Sequence, residues 1–363
     1  MPSLPPACWK WVPYLVPAMI LGGTAAAQVV CYENFTGYGA GVRVESGANG
    51  SSGTGLDGGF GWGGPYDVSN AIKSLVLVEN RTASPVNYSN GDISIQGGNR
   101  ALRFYDNATG TYAVQRPLGT VFQAIAGETL WFSVLFRTAA GGASPLANQD
   151  FFQIGFDDND DAAGGIPRVS IGSNTISDGF PSAYHFFARS TAAVSGSAFD
   201  DDIPITASTT YLLVGSVTPN NEGGYDTVSL FVNPSSMDDP GPPSASVTLA
   251  SGLTTLSHAF IRTHALDGGD AYVLDEWCIG RDYGSVVQSL RHALKILPAS
   301  EPETSPTLRW SAFLSGVVLE TSTTLEPESW AEVSGPFPTT GGDCEHPVMI
   351  DPEIPRRFYR LRR

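Results

Sequence analysis

Short apolar segments separated by turn residues recur through most of the chain. The clearest lie at 72–78, 130–136, 151–156, 211–217, 227–232 and 271–279. Several are apolar at almost every position, which is typical of strands buried on both faces. Others alternate between apolar and polar residues, which indicates one solvated face. Their spacing of roughly 10–20 residues, with turns between them, predicts an all-β sandwich or jelly roll over residues 28–283.

A different pattern begins after residue 283. Apolar residues at helical spacing, among them Val286, Leu290 and Leu294, predict one short amphipathic helix over 284–296. A Pro-rich stretch follows and predicts a solvated linker, so we assign residues 284–306 to a helix and a linker. Residues 307–363 predict a small second β module, because they contain short apolar segments at 308–310, 317–320, 330–333 and 358–361.

The N-terminal residues 1–27 have the pattern of a secretory signal peptide. Lys10 is their only charged residue, an apolar core follows at 11–21, and Ala25 and Ala27 are the small residues that a signal peptidase recognises. We therefore predict cleavage before Gln28 and a secreted or cell-surface protein. The apolar core is shorter than the about 20 residues that span a bilayer, which argues against a membrane anchor, and no later apolar segment is long enough.

Composition narrows the choice of partners. The chain has 36 acidic and 20 basic residues and a formal net charge of −16. Such a surface repels nucleic acid phosphates and anionic lipids, so nucleic acid is excluded as the principal partner. Charged residues make up 15% of the chain, whereas glycine (41) and proline (26) are abundant, and this balance favours short strands and turns over helices.

One loop has the composition of a cation site. It follows the segment at 151–156, runs into Gly164 and Gly165, and consists of Asp157, Asp158, Asn159, Asp160 and Asp161. Ca²⁺ takes about six to eight oxygen ligands, which such a loop can supply, so calcium is the one cofactor that we consider. A solvated acidic turn is the alternative that we favour, because Asp and Asn are also common turn residues.

No arrangement of residues predicts an enzyme. Glycosidases with a sandwich fold place carboxylates at alternate positions of one strand. The best pair here, Asp275 and Glu276, is adjacent and should point to opposite faces. His258 and His264 could share a strand face, although two separate surface histidines are the favoured interpretation. We therefore predict no catalytic residues.

Two aromatic residues are candidates for a sugar-binding site. Trp62 and Tyr66 lie in a Gly- and Pro-rich segment, where exposed rings could stack on a sugar. Packing beneath the loop is the alternative, and it is the more common arrangement for a tryptophan.

Several stretches, taken in order, carry a resemblance to a known family. They are Tyr32-Glu33-Asn34-Phe35 with the Gly-rich segment 56–65, then 130–137, then 272–280. Together they resemble the laminin-G/concanavalin-like sandwich of secreted planctomycete and verrucomicrobial proteins. The C-terminal Trp310, 318–320, Trp330 and 358–361 resemble a small fibronectin-like module. The resemblance implies export, a concanavalin-like jelly roll and a small C-terminal β-sandwich-like module.

We interpret the whole chain as a non-catalytic protein that binds carbohydrate, mediates adhesion or supports the cell envelope. Its partner would be a polysaccharide or an envelope glycan. The alternative is a glycoside hydrolase or polysaccharide lyase of the same sandwich fold. A groove with carboxylates at alternate strand positions would favour the enzyme, and an aromatic-lined concave face without them would favour binding.

The resemblance also implies a disulfide. In concanavalin-like sandwiches the first and last strands pair side by side, antiparallel. If Glu33 stands opposite Glu276, then Cys31 falls opposite Cys278, close enough for a bond after a modest adjustment. A slip of one residue would put the two thiols on opposite faces, and two unpaired, buried cysteines are the alternative. Cys344 is expected to be free in either case.

Overall fold

A computed structural model describes residues 29–36, 38–44, 56–68, 76–105, 111–138, 151–159, 167–174, 185–191, 196–200, 202–264, 266, 271–287, 295–297, 305–311, 318–324, 326–340, 343–348 and 357–362. The predicted signal peptide (1–27) and part of the predicted linker (298–304) lie outside these ranges. Within them, no helix has both the length and the apolar character needed to cross a membrane.

Antiparallel strands are the main elements between residues 29 and 287. In chain order they are β1 (Val29–Glu33), β2 (Asp67–Val68), β3 (Val76–Asn80), β4 (Asn87–Asn90), β5 (Ile93–Gln96), β6 (Arg100–Tyr105), β7 (Thr111–Gln123), β8 (Leu130–Thr138), β9 (Phe151–Asp157), β10 (Val169–Asn174), β11 (His185–Arg189), β12 (Ser197–Asp200), β13 (Thr210–Pro219), β14 (Tyr225–Val232), β15 (Ala245–Thr248), β16 (Thr255–His264) and β17 (Ala271–Gly280). Helix α1 (Tyr283–Val287) follows.

These strands form two large sheets and one hairpin. The eight-stranded sheet has the order β15-β14-β13-β8-β17-β6-β3, with β1 paired to β17. The seven-stranded sheet has the order β12-β11-β10-β9-β16-β7-β2, and β4 and β5 form a separate hairpin. Neighbouring strands are mostly distant in sequence, which is typical of a jelly roll. The predicted all-β sandwich is confirmed.

The main core lies between the two large sheets. Apolar side chains at alternate strand positions meet there because successive residues of a strand point to opposite faces. Phe132 on β8 packs edge-on against Phe156 on β9, with ring centroids 5.0 Å apart. Phe136 stacks on Phe152 at 4.8 Å. These contacts between sheets explain why β8 and β9 are almost continuously apolar in sequence.

A second apolar cluster covers the other side of the eight-stranded sheet. It combines Leu135, Leu212 and Val273 of that sheet with Ile95 of the β4–β5 hairpin and Val286 of α1. Helix α1 covers the start of the helix predicted over 284–296, residues 288–294 lie outside the described ranges, and the predicted C-terminal end of the helix is wrong. Residues Lys295–Leu297 form a strand instead, and their pairing with a later strand satisfies backbone groups that a helix would have used.

The C-terminal residues form two small sheets. Their strands are β18 (Lys295–Leu297), β19 (Thr307–Ser311), β20 (Val318–Ser322), β21 (Ala331–Glu332), β22 (Thr339–Thr340), β23 (Asp343–Pro347) and β24 (Phe358–Arg362). The sheet orders are β18-β19-β23-β22 and β21-β20-β24. Leu308, Trp310 and Leu319 are the buried centre of a third apolar cluster.

The first and last strands of the sandwich pair as the resemblance implied, but the predicted disulfide is wrong. Strand β1 runs antiparallel to β17, and Cys31 stands opposite Ile279 while Tyr32 stands opposite Cys278. This register differs by one residue from the predicted one, so the thiols lie on opposite faces. Cys31 belongs to the core between the sheets and Cys278 to the second cluster, and both are free.

A bulge explains why simple alternation fails in β17. Leu274 and Trp277 both pack into the core between the sheets. They are three positions apart, whereas residues on one face of a regular strand are an even number of positions apart. Glu276 takes the extra position, at φ 55°, where the pairing with β8 shifts register. The hydroxyl of Tyr32 donates to Glu276, and Gly98 N donates to Asp275 Oδ2 at 2.9 Å. The adjacent carboxylates thus have separate structural partners.

Candidate functional site

The outer face of the seven-stranded sheet, which points away from the eight-stranded sheet, is the candidate site. Because Phe152, Ile154 and Phe156 point into the core, the alternate residues of β9 point outward. Strand register then aligns three rows of outward residues, each read across β11, β10, β9 and β16. The first row is Arg189, Ser170, Gly155 and Phe260. The second is Phe187, Gly172, Gln153 and Arg262, and the third is His185, Asn174, Phe151 and His264. This outer face thus carries polar, cationic and aromatic side chains together.

Aromatic rings form a platform across the middle of the outer face, in which Phe151 and Phe187 are themselves buried, at 3% and 0% exposed. Phe187 on β11 stacks on Phe151 on β9, with ring centroids 5.6 Å apart and an interplanar angle of 22°. The two rings can meet across β10 because Gly172 has no side chain, and a Cβ there would lie 2.9 Å from the ring of Phe187. Phe199 on edge strand β12 lies 6.3 Å from Phe187 and is partly exposed.

Arg189 is a buried cation beside this platform. Its side chain is 2% exposed, and its guanidinium carbon lies 4.8 Å from the ring centroid of Phe187 and 5.4 Å from that of Phe151. Nε donates to Ser197 Oγ at 2.8 Å, whereas Nη2 has no hydrogen-bond partner in the described part of the chain. Burial, together with the charge of Arg262, lowers the pKa of Arg189.

Arg262 contributes a second cation to the same platform. Its guanidinium carbon lies 5.2 Å from the ring centroid of Phe151, so this ring contacts both arginines. Burial lowers the pKa of Arg262, although the residue is still partly exposed. Among the described residues, no carboxylate forms an ion pair with Arg189 or Arg262. The two positive charges are therefore not neutralised by this part of the protein.

Gln153 stands opposite Arg262 in the paired strands β9 and β16. Its amide nitrogen donates to Pro167 O at 3.1 Å and to Ser170 Oγ at 2.5 Å, which fixes the orientation of the amide. The amide oxygen Oε1 is buried and accepts no hydrogen bond from the described residues.

Acidic residues are sparse on the seven-stranded sheet. Within its strand bounds they are Asp67, Asp157 and Asp200, each on a different strand. Asp157 ends β9 and forms an ion pair with Arg168, with Nη2 and Oδ1 2.5 Å apart. No strand of this sheet therefore offers two carboxylates at alternate positions, which is the arrangement that glycosidases of this architecture use.

The predicted calcium loop is described only in part. Both oxygens of Asp157 accept hydrogen bonds from Arg168, and Asp158 also pairs with Arg168. Asn159 follows, whereas the last two predicted ligands, Asp160 and Asp161, lie outside the described residues. Over the described ranges, no group of three or more candidate metal-binding side chains is found. Calcium binding by this loop stays a prediction.

The structure brings the predicted sugar-binding residues Trp62 and Tyr66 together around Arg116 on β7. The guanidinium carbon of Arg116 lies 4.9 Å from the ring centroid of Trp62 and 4.6 Å from that of Tyr66. Tyr66 is 1% exposed, so it packs beneath the loop, which is the alternative that the sequence left open. Trp62 is partly exposed and also lies 4.8 Å from Trp277.

A buried ion pair explains this cluster. Arg116 Nη1 lies 3.0 Å from Glu33 Oε2, and Arg116 Nη2 lies 3.1 Å from Asp57 Oδ1. Glu33 also accepts hydrogen bonds from Phe35 N at 2.9 Å and from the Tyr38 hydroxyl at 3.0 Å. Burial raises the pKa of Glu33, and the charge of Arg116 opposes that rise. The charges of this cluster are neutralised within it, which indicates a structural role.

His258 and His264 do share a face of β16, the outer one, as the sequence allowed. They stand opposite Asp157 and Phe151 respectively. Six residues along a strand correspond to about 20 Å, so the two imidazoles cannot bind one metal ion. Two separate histidines are the correct interpretation.

The main residues of the outer face were not singled out from the sequence. Arg189 and Arg262 end or interrupt strands that are otherwise apolar, and Gln153 lies in the middle of β9. A charged or amide side chain in a strand buried on both faces is itself a signal, because it is costly unless something compensates it. The strand register was needed to identify which of these residues lie next to one another on the outer face.

A small cavity lies elsewhere, at the end of β7. It has a volume of about 130 Å³ and is lined in part by Val121, Ile125 and the ion pair of Glu128 and Arg281. Ligand pockets usually measure roughly 300–1,000 Å³. This cavity is too small for a sugar polymer, so it does not compete with the outer face.

No protein-family model matches the chain, and no curated protein matches its sequence. Several solved structures are similar in fold. Lectin II from Ulex europaeus is 8% identical with a TM-score of 0.33, over 59% of this chain and 97% of the lectin. An endo-1,3-β-glucanase from Streptomyces sioyaensis is 12% identical with a TM-score of 0.40, over 70% and 96%. An alginate lyase is 10% identical with a TM-score of 0.35, over 50% and 75%. Likeness at this level indicates no ligand and no activity for this chain.

Proposed function

We propose that this protein binds carbohydrate on the outer face of its seven-stranded sheet, without catalysing a reaction. One observation carries the proposal. The outer face presents partly exposed aromatic and cationic or polar side chains together, namely Phe199, Arg262 and His264. Sugar sites need this combination, because ring faces contact apolar C–H groups while fixed polar groups bind hydroxyls.

The two outer faces of the sandwich support this assignment by contrast. The outer face of the eight-stranded sheet is apolar and is covered by α1 and the β4–β5 hairpin, so its role is packing. The residues that line the seven-stranded sheet on its outer side are instead arginine, glutamine, asparagine, serine and histidine alternating with phenylalanine. Packing between the sheets does not require these polar residues, and their burial is costly unless they are hydrogen-bonded.

The scarcity of carboxylates favours binding over glycoside hydrolysis. A hydrolase needs two carboxylates about 5–10 Å apart across the bond that it cleaves, and the strands of this sheet carry at most one acidic residue each. The alternative is a polysaccharide lyase. His264 lies on the outer face two positions from Arg262, and an imidazole there could act as a general base.

We also propose that the protein is exported, since residues 1–27 have the pattern of a signal peptide. An exported protein meets polysaccharides of the cell surface or of the surroundings. N-terminal sequencing of the protein recovered from culture medium or envelope should give Gln28 as its first residue. Recovery of a protein that begins at Met1 would contradict export by cleavage.

A glycan microarray tests the carbohydrate proposal. The protein should bind at least one class of polysaccharide, and Phe199→Ala should weaken binding several-fold because it removes a partly exposed ring from the platform. Tyr105→Ala is the matched control, because Tyr105 is a partly exposed ring on the eight-stranded sheet that also lies beneath an arginine. Binding should survive in that control.

Two results would contradict the proposal. Either no glycan is bound, or both aromatic variants weaken binding equally. An enzymatic assay decides between the proposal and its alternative. Release of reducing ends, or of unsaturated products that absorb near 235 nm, would make the protein an enzyme.

A further inference from the structure

We propose that three arginines on the eight-stranded sheet, Arg81, Arg103 and Arg137, together bind one doubly charged oxyanion group of the phosphate or sulfate type. These residues are called the arginine cluster below. The cluster belongs to β6, β8 and the segment that follows β3, so it is separate from the outer face of the seven-stranded sheet. The inference therefore does not depend on the proposed carbohydrate function.

Strand register puts two of these arginines on the same face of the sheet. Val273 on β17 stands opposite Arg103 on β6 and opposite Arg137 on β8. Directly opposed residues point to the same face, and the arginines are two strand spacings apart, which is about 10 Å between their backbones. Val273 belongs to the apolar cluster outside this sheet, so both arginines also point outward. Their side chains are long enough to approach each other above the shorter valine.

A turn and one carboxylate connect the third arginine to the other two. Glu79 Oε2 lies 2.5 Å from Arg81 Nη2, and Glu79 Oε1 lies 3.1 Å from Arg103 Nη1. Ser84 N donates to Arg81 O at 2.9 Å, which closes the turn. Arg137 Nη1 donates to Ser84 Oγ at 3.1 Å. The three side chains are thus held in one place by contacts within the protein.

The charges of the arginine cluster are only partly neutralised. Three arginines and one glutamate leave two positive charges in excess, because no described carboxylate forms an ion pair with Arg137. Burial and the charges of Arg137 and Arg103 lower the pKa of Arg81, and the charge of Glu79 opposes that effect. A phosphate group carries about 1.5–2 negative charges at pH 7, which matches this excess. Guanidinium groups also bind such oxygens through paired hydrogen bonds.

A ligand can reach the arginine cluster from solvent. The side chains of Arg103 and Glu79 are 31% and 26% exposed, Arg137 is partly exposed, and Ser84 is exposed. The guanidinium carbon of Arg103 lies 4.9 Å from the ring centroid of Tyr105, which supports one face of the guanidinium and leaves its edge for hydrogen bonds. The net charge of −16 does not prevent binding, since charges more than about 8 Å away are largely screened at physiological salt.

Equilibrium dialysis of the intact protein against radiolabelled phosphate or sulfate measures this binding directly. Sodium chloride keeps the ionic strength constant, so that general attraction of anions is the same in every sample. We expect saturable binding of a single ion per chain, with phosphate and sulfate competing for the same site. Unlabelled glycerol 3-phosphate distinguishes the sources of the ligand. Displacement of phosphate by this ester assigns the site to phosphorylated molecules, and a lack of displacement assigns it to the free ions.

Arg137→Gln should weaken ion binding about tenfold, the usual effect of losing a charge-assisted hydrogen bond. It leaves no described carboxylate without its partner, and Arg137→Lys should recover part of the affinity. Arg103→Gln should weaken binding similarly. Arg281→Gln is the matched control, because it removes the same charge from a partly exposed arginine that pairs with Glu128 elsewhere, and it should leave binding unchanged. Equal melting temperatures without ligand establish that the variants are folded, and Arg137→Gln serves alone if Arg103→Gln fails to fold.

Three results would overturn the proposed anion site. The first is that neither phosphate nor sulfate shows saturable binding. The second is equal binding in the wild type, Arg137→Gln and Arg103→Gln, which would place the ion elsewhere. The third is that Arg281→Gln weakens binding as much as Arg137→Gln, which would show that binding follows net charge alone. None of these results bears on the carbohydrate proposal, which the glycan microarray tests separately.

Discussion

Arg116 and Arg189 are two buried arginines in opposite surroundings. Arg116 donates to Gly64 O at 2.8 Å and pairs with Glu33, so the protein itself supplies its acceptors and its counter-charge. Arg189 has the hydroxyl of Ser197 and two aromatic rings, but no described carboxylate. The first arrangement suits a permanent structural role, whereas the second leaves the charge of Arg189 without a counter-charge from the described residues.

The structural role of Arg116 can be measured. Arg116→Met should lower the free energy of unfolding by about 3–5 kcal/mol, because it leaves the Glu33 carboxylate buried without its partner. Burial raises the pKa of Glu33 and loss of Arg116 removes the opposing effect, so the variant binds a proton more readily when folded. The destabilisation should therefore be largest at neutral pH and smaller in acid, where the carboxyl is neutral.

Urea unfolding at two pH values checks this prediction. Arg281→Met is the control, because Arg281 and Glu128 form an ion pair whose side chains are about half exposed. Its effect should be below about 1 kcal/mol at either pH. A small or pH-independent loss in Arg116→Met would show that the buried pair contributes little.

Residue-level function was the hardest part to predict from the sequence. Trp62 and Tyr66 drew attention as aromatic residues in a loop, yet the structure packs them on Arg116. Arg189 and Arg262 are far apart in sequence and meet only through the order β11-β10-β9-β16. Their proximity depends on register across four strands, which a sequence pattern does not specify.

At the scale of elements, the segment around Gly61 holds β1 against β7. Gly61 has φ +79°, and its carbonyl accepts a hydrogen bond from Gly119 N at 2.8 Å. A Cβ at this position would lie 1.8 Å from Val30 O. Gly41 has nearly the same dihedral, φ +78°, but nothing lies within 4 Å of the space that a Cβ would occupy. The two glycines separate the effect of backbone conformation from that of close approach.

Alanine substitutions at the two glycines should differ accordingly. Gly41→Ala should cost about 1–2 kcal/mol, the strain of an L-residue in the left-handed region. Gly61→Ala should cost that amount plus the clash with Val30, for a total of roughly 4 kcal/mol or more. Chemical denaturation of both variants measures the difference. Equal losses would mean that β1 moves aside at little cost.

Elements were the most predictable part of the molecule. The strands at 130–136, 151–156, 211–217, 227–232 and 271–279 were all found, with bounds extended by a few residues at most. Their apolar pattern marks the positions that are buried, and the strands of this fold are the segments buried in its core. The helix over 284–296 was overextended because a short apolar run can pack as a helix or as a strand, and tertiary pairing decided for β18. The bulge at Glu276 shifted the register at the cysteines, and nothing in the sequence pattern marks it.

At the scale of the whole molecule, the described residues form separate apolar clusters. The two clusters of the sandwich contain no described residue beyond Val287, whereas Leu308, Trp310 and Leu319 form the centre of the C-terminal one. Trp310 also packs edge-on against Phe337, with ring centroids 4.8 Å apart. Loss of the C-terminal cluster should therefore leave the two clusters of the sandwich intact.

Trp310→Ala in the full chain tests this independence. It should cost about 3–5 kcal/mol within the C-terminal sheets, which is about as much as so small a unit can supply. Hydrogen exchange should then rise over residues 305–362 and stay unchanged in β8, β9 and β17. Trp131→Ala is the control, because Trp131 packs on Phe231 and Tyr283 of the sandwich and should raise exchange there instead. Increased exchange throughout the chain in both variants would show that the clusters unfold together.

The register of β1 on β17 also bears on how the sandwich is closed. Cys31 and Cys278 face opposite sides of one sheet, so no disulfide bond joins the first strand to the last. Ladder hydrogen bonds, burial and the hydrogen bond from the Tyr32 hydroxyl to Glu276 hold the two ends of the domain together, and these contacts can open and re-form. The protein is therefore expected to reach the same native state in a reducing cytoplasm and in an oxidising exterior. Folding requires no disulfide formation. A force applied to the N-terminal strand would be resisted by non-covalent contacts, which can re-form after they break.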